Sequence, residues 1–359
     1  MNKSLLIVGN HHTPAIELIR QLKQDKFITW DLSYVSHLHS RELHIKNSIV
    51  KELKVKFYSL KSSKFDRYHP ASFILSFPLL FISIKQSLVL LKKTKPDLVI
   101  SFGGYSSVPL VFAAFLKAIP VIIHEQTPTF GLSTKINSIF TKKIALSYPP
   151  SVSLFSSLFK NKIVVTGNLL RSQIYQNSTK NYQILVSKIK QNPLLYITGG
   201  SQGSETINQN ILPILPKLTQ KYLVIHHTGV NHFASIKKQF PHLKNYYPTD
   251  YVGLEDIGWV LQNASIIISR AGANTCQEII ALKKNSLLVP LPKSSQDEQN
   301  KNAILVKKNL PQTIILDQDK LCPTQILTGL NQLTKQSLIS TFPPQKNNLK
   351  ILKLIHSLV

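Results

Sequence analysis

The sequence predicts an α/β protein made of two Rossmann-like, doubly wound domains in series, with a ligand cleft between the carboxyl ends of their strands. Three observations carry this. Short continuous apolar runs alternate with longer stretches of helical pattern, as buried parallel strands alternate with crossover helices. The alternation pauses at Pro149–Pro150 and a Ser-rich stretch, then restarts. A chain of 359 residues with 43% hydrophobic content exceeds one typical core and suits two.

In the first half, Ser4–Val8, Ile28–Val35, Lys54–Tyr58, Asp97–Ser101, Pro120–Ile123 and Lys143–Ser147 read as strands. Pro14–Leu22 and Val108–Leu116 read as helices, with Pro14 in a first turn where its missing N–H costs nothing. In the second half the strands are Leu194–Thr198, Tyr222–His227, Ser265–Ser269, Ser286–Pro290 and Gln312–Leu316. Helices begin near Gly203, Asn274 and Asp297, and Pro344–Val359 docks as a final helix. The expected domains are 1–162 and 163–340, closed by a helix over 341–359. No solenoid-period repeat and no low-complexity segment is present.

Several classes are excluded or weakened at this level. The apolar start Leu5–Val8 is too short for a signal peptide, because His11, His12 and Pro14 follow at once. The longest uncharged run, Ala71–Ile84, is shorter than the roughly 20 residues a spanning helix needs. It suits either a core helix or one lying on a membrane. Cys276 and Cys322 sit in no metal-binding or redox spacing, which fits a reducing compartment. Lys and Arg number 43 against 17 Asp and Glu, a formal charge of +26, which calls for an anionic partner. Most of that charge is scattered Lys. No nucleic-acid motif or aromatic–basic interleaving accompanies it, so no nucleic-acid partner is expected.

The strongest local signal is Ser269-Arg-Ala-Gly-Ala-Asn-Thr-Cys-Gln-Glu278, between a strand and a helix. Small residues at 271–273 let a ligand approach the backbone, and a helix N-terminus offers its free N–H groups to a phosphate. Glu278 has two readings of even weight from this segment alone. It accepts from the diol of a nucleotide's ribose, or it closes a capping box with Thr275. Gly199-Gly-Ser-Gln-Gly203 is a second glycine turn, lacking the spacing of a P-loop or dinucleotide fingerprint. Ser101-Phe-Gly-Gly-Tyr105 and His124-Glu125-Gln126 follow strands of the first half. Arg171 is one of five arginines, and its guanidinium suits a diphosphate. His11 and His12 follow the first strand, where a histidine near its ordinary pKa can take a hydroxyl proton. Adjacent strand histidines such as His226 and His227 make poor metal pairs, so no metal site and no cofactor is expected.

Taken together, Asp97-Leu-Val-Ile-Ser-Phe-Gly-Gly-Tyr105, His124-Glu-Gln126, Val165-Thr-Gly-Asn168, Gly199-Gly-Ser-Gln-Gly203, Ser269-Arg-Ala-Gly-Ala273 and Val289-Pro-Leu-Pro292 resemble the N-acetylglucosaminyltransferase family that acts on lipid I in peptidoglycan synthesis. The order and spacing hold over roughly residues 95 to 305. The resemblance implies a GT-B fold, an N-terminal domain for acceptor and membrane, and a C-terminal domain for UDP-N-acetylglucosamine. It implies inverting, metal-independent transfer to the muramyl C4 hydroxyl of a polyprenyl-diphosphate-linked acceptor, at the cytoplasmic face of the bacterial membrane. Carried over by motif, Glu278 holds the ribose and Ala273, Asn274 and Thr275 line the diphosphate and sugar. Ser201 and Arg171 also contact the donor, and Leu254 supplies backbone recognition of uracil. Glu298 and Gln299 stand where the family has a Gln pair that reads the sugar hydroxyls. Counting back from Pro14 puts His11 on the family's histidine, the candidate base, with Asn10, His12, Tyr105, Glu125 and Thr127 facing the acceptor.

Three departures mark this chain. The loop before His11 has one glycine, Gly9, where the family has several. Thr127 replaces the Asn after His-Glu-Gln, and Glu298 replaces the first Gln of the pair, after an apparent one-residue insertion. An anionic-membrane partner fits the charge, since Phe73, Phe77, Leu80, Phe81, Ile84, Phe112 and Phe115 can form an apolar patch rimmed by Lys85, Lys117, Lys142 and Lys143. Other readings stay open from sequence: a same-fold transferase for another lipid acceptor, an epimerase of similar architecture, or a basic non-enzymatic anion-binding protein.

Overall fold

A computed structural model describes residues 1–9, 12–36, 53–60, 71–200, 202–292, 297–334 and 346–359, the side chains of 71–78 and 346–347 excepted. The chain forms two compact units, Met1–Arg171 with Gln345–Val359, and Ser172–Pro344.

The first unit is a seven-stranded parallel sheet. Its strands are β1 (Asn2–Val8), β2 (Thr29–Ser36), β3 (Lys56–Ser59), β4 (Leu98–Ser101), β5 (Val121–Glu125), β6 (Lys143–Leu146) and β7 (Ile163–Val165), in the order β3-β2-β1-β4-β5-β6-β7. The strand order reverses between β1 and β4, so the crevice of this sheet opens at their carboxyl ends. Helices α1 (His12–Lys23), α2 (Ala71–Thr94), α3 (Ser107–Leu116) and α4 (Leu132–Ile139) cover it. One core layer joins Leu5, Ile7, Leu18, Ile19 and Ile100; the opposite layer joins Leu6, Val8, Val99, Leu110 and Ile123. Alternate residues of one strand thus serve opposite cores, which is why β1 and β4 read as unbroken apolar runs.

The second unit has strands β8 (Leu194–Thr198), β9 (Leu223–His227), β10 (Tyr246–Thr249), β11 (Ala264–Ser269), β12 (Asn285–Leu288) and β13 (Ile314–Ile315), all parallel, in the order β10-β9-β8-β11-β12-β13. Its switch point lies between β8 and β11. The helices are α5 (Gln183–Lys188), α6 (Glu205–Ile211), α7 (Leu215–Leu218), α8 (Val230–Gln239), α9 (Leu254–Asn263), α10 (Ala273–Ala281), α11 (Glu298–Asn309) and α12 (Pro323–Thr334).

The last helix, α13 (Lys346–His356), belongs to the first unit. Ile351, Leu354 and Ile355 enter the core beside Leu18 and Ile19, each burial contributing about 1.5–3 kcal/mol. Asn348 clamps the chain through both amide atoms. Its Oδ1 accepts from Leu170 N–H at 3.2 Å and its Nδ2 donates to Leu170 O at 2.9 Å. His356 lies 2.6 Å from Asp25, which also accepts from Trp30 Nε1 at 2.8 Å.

Two strands go beyond the sequence reading. Tyr246–Thr249 contains a proline, and β7 has three residues; both are edge strands, where few residues and a missing N–H are tolerated. Because Ile163–Val165 pairs with β6, the chain leaves the first sheet only after 165, and the second unit begins at Ser172 instead of near 163. The uncharged run from Ala71 continues as helix to Thr94. It buries Ser83, Ser87, Leu90 and Leu91 and leaves Phe81 64% and Val89 63% exposed. The helix is therefore neither wholly core nor wholly surface. No helix among the described residues is long and apolar enough to cross a membrane.

Candidate active site

In the second unit the two glycine-containing loops leave the neighbouring strands β8 and β11, whose last paired residues are Thr198 and Ser269. The first loop is built by close backbone approach. Gly203 has φ +77°, and a Cβ there would lie 2.1 Å from Thr228 O, so no other residue fits. Ser204 then caps α6 by accepting from Ile207 N–H. Beneath the loop, His226 is fully buried between Tyr246 Oη and Asn208 Oδ1, each at 3.0 Å. Asn208 spends its amide N–H on Thr228 O at 3.0 Å, so its Oδ1 accepts from His226 Nε2–H and His226 Nδ1 accepts from the tyrosine. Burial, helped by neighbouring His227, pulls the His226 pKa down to about 3. This histidine is a neutral structural link.

The second loop turns directly into α10, whose N-cap is Gly272 with no side-chain cap. The capping-box reading of Glu278 is therefore not realised: Thr275 is the third helical residue, and Glu278 sits a further turn in, 2% exposed. A helix start offers its first N–H groups to a phosphate, and in α10 Cys276 N–H already bonds back to Gly272 O at 3.0 Å. The carboxylate of Glu278 raises the Tyr175 pKa, second to the effect of burial there.

The loop is braced from behind. Arg270 Nη1 donates to Val289 O at 3.1 Å, tying it to the chain that leaves β12. Asn302 Nδ2 donates to the fully buried Ala271 O at 3.1 Å. Gln299 Oε1 accepts from Leu291 N–H at 2.9 Å. Of the two residues at the family's Gln pair, Gln299 thus holds the adjoining loop with its carbonyl oxygen. Glu298 opens α11, and burial pushes its carboxyl up while Asn302 opposes that by hydrogen bonding. Cys276 is wholly buried in α10, and burial pushes its thiol well up, so it is no nucleophile.

Leu254 is the first residue of α9, after the N-cap Gly253. Next to it, Asp256 is 1% exposed and accepts from Thr179 Oγ1 (2.6 Å), Lys180 N (2.7 Å), Asn181 N (3.0 Å) and Asn181 Nδ2 (2.6 Å). Burial pushes its carboxyl up, but these four bonds outweigh it and hold the pKa below the usual value. Sequence reasoning missed this anchor, since its partners lie some 75 residues away.

In the first unit the switch point brings together the ends of β1 and β4. Gly9 packs so tightly that a Cβ would stand 2.9 Å from Phe102 C. Its carbonyl accepts from Tyr34 Oη at 2.9 Å, and Tyr34 Oη lies 2.8 Å from His12 Nδ1. With the phenolic proton on Gly9 O, Nδ1 is the donor to Tyr34, which leaves the lone pair of the imidazole on Nε2. Asn10 and His11, and Ser201 of the other unit, lie outside the described residues. Tyr105 is half-buried just before α3, and Arg171 is the last residue of this unit's main segment.

His124 and Glu125 end β5, Gln126 follows it, and all three are buried. His124 Nε2 meets Gly167 O at 3.1 Å, linking two of the family-like motifs. Glu125 Oε1 accepts from Gln126 N–H (3.0 Å) and Thr127 N–H (3.2 Å), and Oε2 accepts from Thr134 Oγ1 at 2.7 Å. Thr127 Oγ1 lies 2.9 Å from Glu125 Oε1 and also against Thr129 O. Burial pushes the Glu125 carboxyl up, and these hydrogen bonds oppose it. Thr134 left no sequence signal.

Two switch-point loops, a helix start of the kind that holds phosphate and a buried carboxylate behind it make a site suited to a nucleotide-sugar in a two-domain α/β protein. Residues 9–146 match the glycosyltransferase family 28 N-terminal domain and residues 194–358 match the family 28 C-terminal domain. The chain belongs to glycosyltransferase family 28. It is 33% identical to a UDP-N-acetylglucosamine–N-acetylmuramyl-(pentapeptide) pyrophosphoryl-undecaprenol N-acetylglucosamine transferase of Clostridium kluyveri, covering 93% of this chain and 91% of that protein. A protein of the same description from Clostridium novyi is 32% identical over 91% of this chain and 88% of its own length. The fold is similar to the crystal structure of Acinetobacter baumannii MurG, with a TM-score of 0.68, 22% identity and 99% of each chain covered.

Proposed function

We propose that this enzyme transfers N-acetylglucosamine from UDP-N-acetylglucosamine to the muramyl C4 hydroxyl of lipid I, forming lipid II, with inversion at the anomeric carbon and without a metal. One observation carries this most: the motifs shared with that activity fall at the carboxyl ends of strands in both sheets, in a chain 33% identical along 93% of its length to a transferase so described.

In this reading Glu278 accepts from both ribose hydroxyls. The first turn of α10, from Ala273 to Thr275, receives the diphosphate, whose charge grows as the glycosidic bond breaks. Arg171 and Ser201 add donor contacts, and the N–H groups at Leu254 meet the uracil edge. Gln299, whose carbonyl oxygen holds Leu291 N–H, reads the sugar hydroxyls beside Glu298. His11 is the base that takes the C4 proton. Tyr34, bonded to Gly9 O and to His12, holds the described residues on either side of His11. Glu125 and Thr127 shape the β5 exit loop beneath Tyr105 and the acceptor. Asn10 contributes through its backbone.

The acceptor is lipid-bound, and the exposed side chains Phe81, Phe115 and Leu116, with Lys85, Lys117 and Lys142, suit peripheral attachment to the anionic cytoplasmic leaflet. Phe73 and Phe77 lie in the stretch whose side chains are not described. The test is UDP release from UDP-N-acetylglucosamine with and without a lipid I analogue, repeated in excess EDTA. Acceptor-dependent release that EDTA leaves unchanged is expected. Release without acceptor, or epimerised sugar product, would overturn the reading.

A further inference from the structure

A groove of about 750 Å³ opens in the first unit between the end of β3 and one face of α2. Tyr58, Leu60, Ile82 and Val89 give it apolar walls, and Lys85 and Lys93 stand at its rim. The α2 residues involved recur three and four apart, so they share one helical face. Lys93 Nζ sits 5.3 Å above the centre of the Tyr58 ring, which places a positive charge against that wall. No Asp or Glu occurs in Ala71–Thr94. Such a groove takes an apolar chain that carries negative charge at one end.

Its position says which chain. Val35 is paired with both Val8 and Tyr58, so Tyr58 lies level with the end of β1, two strands across. With neighbouring strands about 4.8 Å apart, the groove mouth stands roughly 10 Å from the end of β1, on the same carboxyl edge of the sheet. An acceptor sugar whose hydroxyl is presented at the end of β1, as the lipid-acceptor reading has it, carries its own diphosphate and the first carbons of its lipid about that far away.

We propose that this groove seats the first isoprenoid units of the acceptor's polyprenyl chain, with Lys85 and Lys93 facing the diphosphate. The inference rests on the lipid-acceptor reading above and adds a site for the lipid itself. The chain enters the protein instead of remaining wholly in the bilayer, so chain length becomes part of acceptor recognition.

Val89→Trp tests this without disturbing the core, because Val89 is 63% exposed. Its indole fills the groove. The KM for an acceptor with a long polyprenyl chain rises about tenfold, while the KM for an acceptor cut to a short alkyl group and the donor KM stay as in the unsubstituted enzyme. Lys85→Ala combined with Lys93→Ala raises the long-chain KM as well. Equal effects on both acceptors overturn the proposal. So does loss of binding to phosphatidylglycerol vesicles without any chain-length dependence, which assigns the groove to bilayer lipid. Direct titration with farnesyl diphosphate separates the two readings. Saturable binding that inorganic diphosphate does not match, and that Val89→Trp abolishes, upholds the groove even if no sugar is transferred. No difference between the two ligands removes it.

Discussion

Tyr34 and His12 form a half-buried link at the mouth of the first sheet: the phenol lies 2.8 Å from His12 Nδ1 and gives its proton to Gly9 O. The link joins β2 to Gly9 at the end of β1 and to His12 at the start of α1, the described residues on either side of His11. Its consequence is a division of labour between adjacent histidines. His11→Ala should lower kcat by roughly 10²–10⁴, the usual contribution of a general base. His12→Ala and Tyr34→Phe should each lower it only about three- to tenfold, the equivalent of one hydrogen bond. Steady-state kcat at saturating substrates checks this. A collapse in His12→Ala with His11→Ala near normal would transfer the base to His12.

Glu278 stands one turn beyond Thr275 in α10, 2% exposed. Replacing it with Ala should weaken donor binding by about 1.5–3 kcal/mol, the range for hydrogen bonds to a charged group. Donor KM then rises about ten- to more than a hundredfold while acceptor KM holds. An unchanged donor KM in Glu278→Ala excludes the ribose role.

Asp256 gathers the 179–181 segment through four donors to one carboxylate. Asp256→Ala leaves those buried donors without an acceptor, and should destabilise the protein by about 1–3 kcal/mol or more. The folded pKa is depressed, so the stabilisation is complete above the unfolded value near 4 and is lost as pH falls through the folded one. Urea melts of both forms at pH 7 and at pH 3 check it: the gap between the two proteins should shrink in acid.

His226 titrates near 3 in the folded protein and near 6.5 when unfolded. Between those values the unfolded chain binds the extra proton, so stability should fall steadily as pH drops from about 6.5 towards 3. His226→Gln should flatten that slope in thermal melts over pH 4–6.5, even though it lowers stability at pH 7. A slope that survives the substitution intact would assign the acid sensitivity elsewhere.

Much of the fold was legible because burial on both faces writes parallel strands as continuous apolar runs. Leu194–Thr198 and Ser265–Ser269 fall on β8 and within β11 for that reason. Edge strands carry a weaker signal, and β7 and Tyr246–Thr249 went unread. The glycine loops were legible as turns, since Gly203 can be nothing else. Glu278 was legible as a candidate but not as a choice. Only the observed N-cap at Gly272 removed the capping alternative.

What the sequence determined by itself was local: strand and helix periods, turn residues, the excess of Lys, and an ordered set of motifs. What the tertiary structure decided was which of these meet. Strand order set β1 beside β4 and β8 beside β11, putting loops distant in sequence on common edges. It gave Glu125 to Thr134, Asp256 to Thr179, and the uncharged helix α2 one buried face and one open to a groove. The reason is physical: hydrogen bonding and packing act over a few ångströms in space, and separation along the chain carries no record of them.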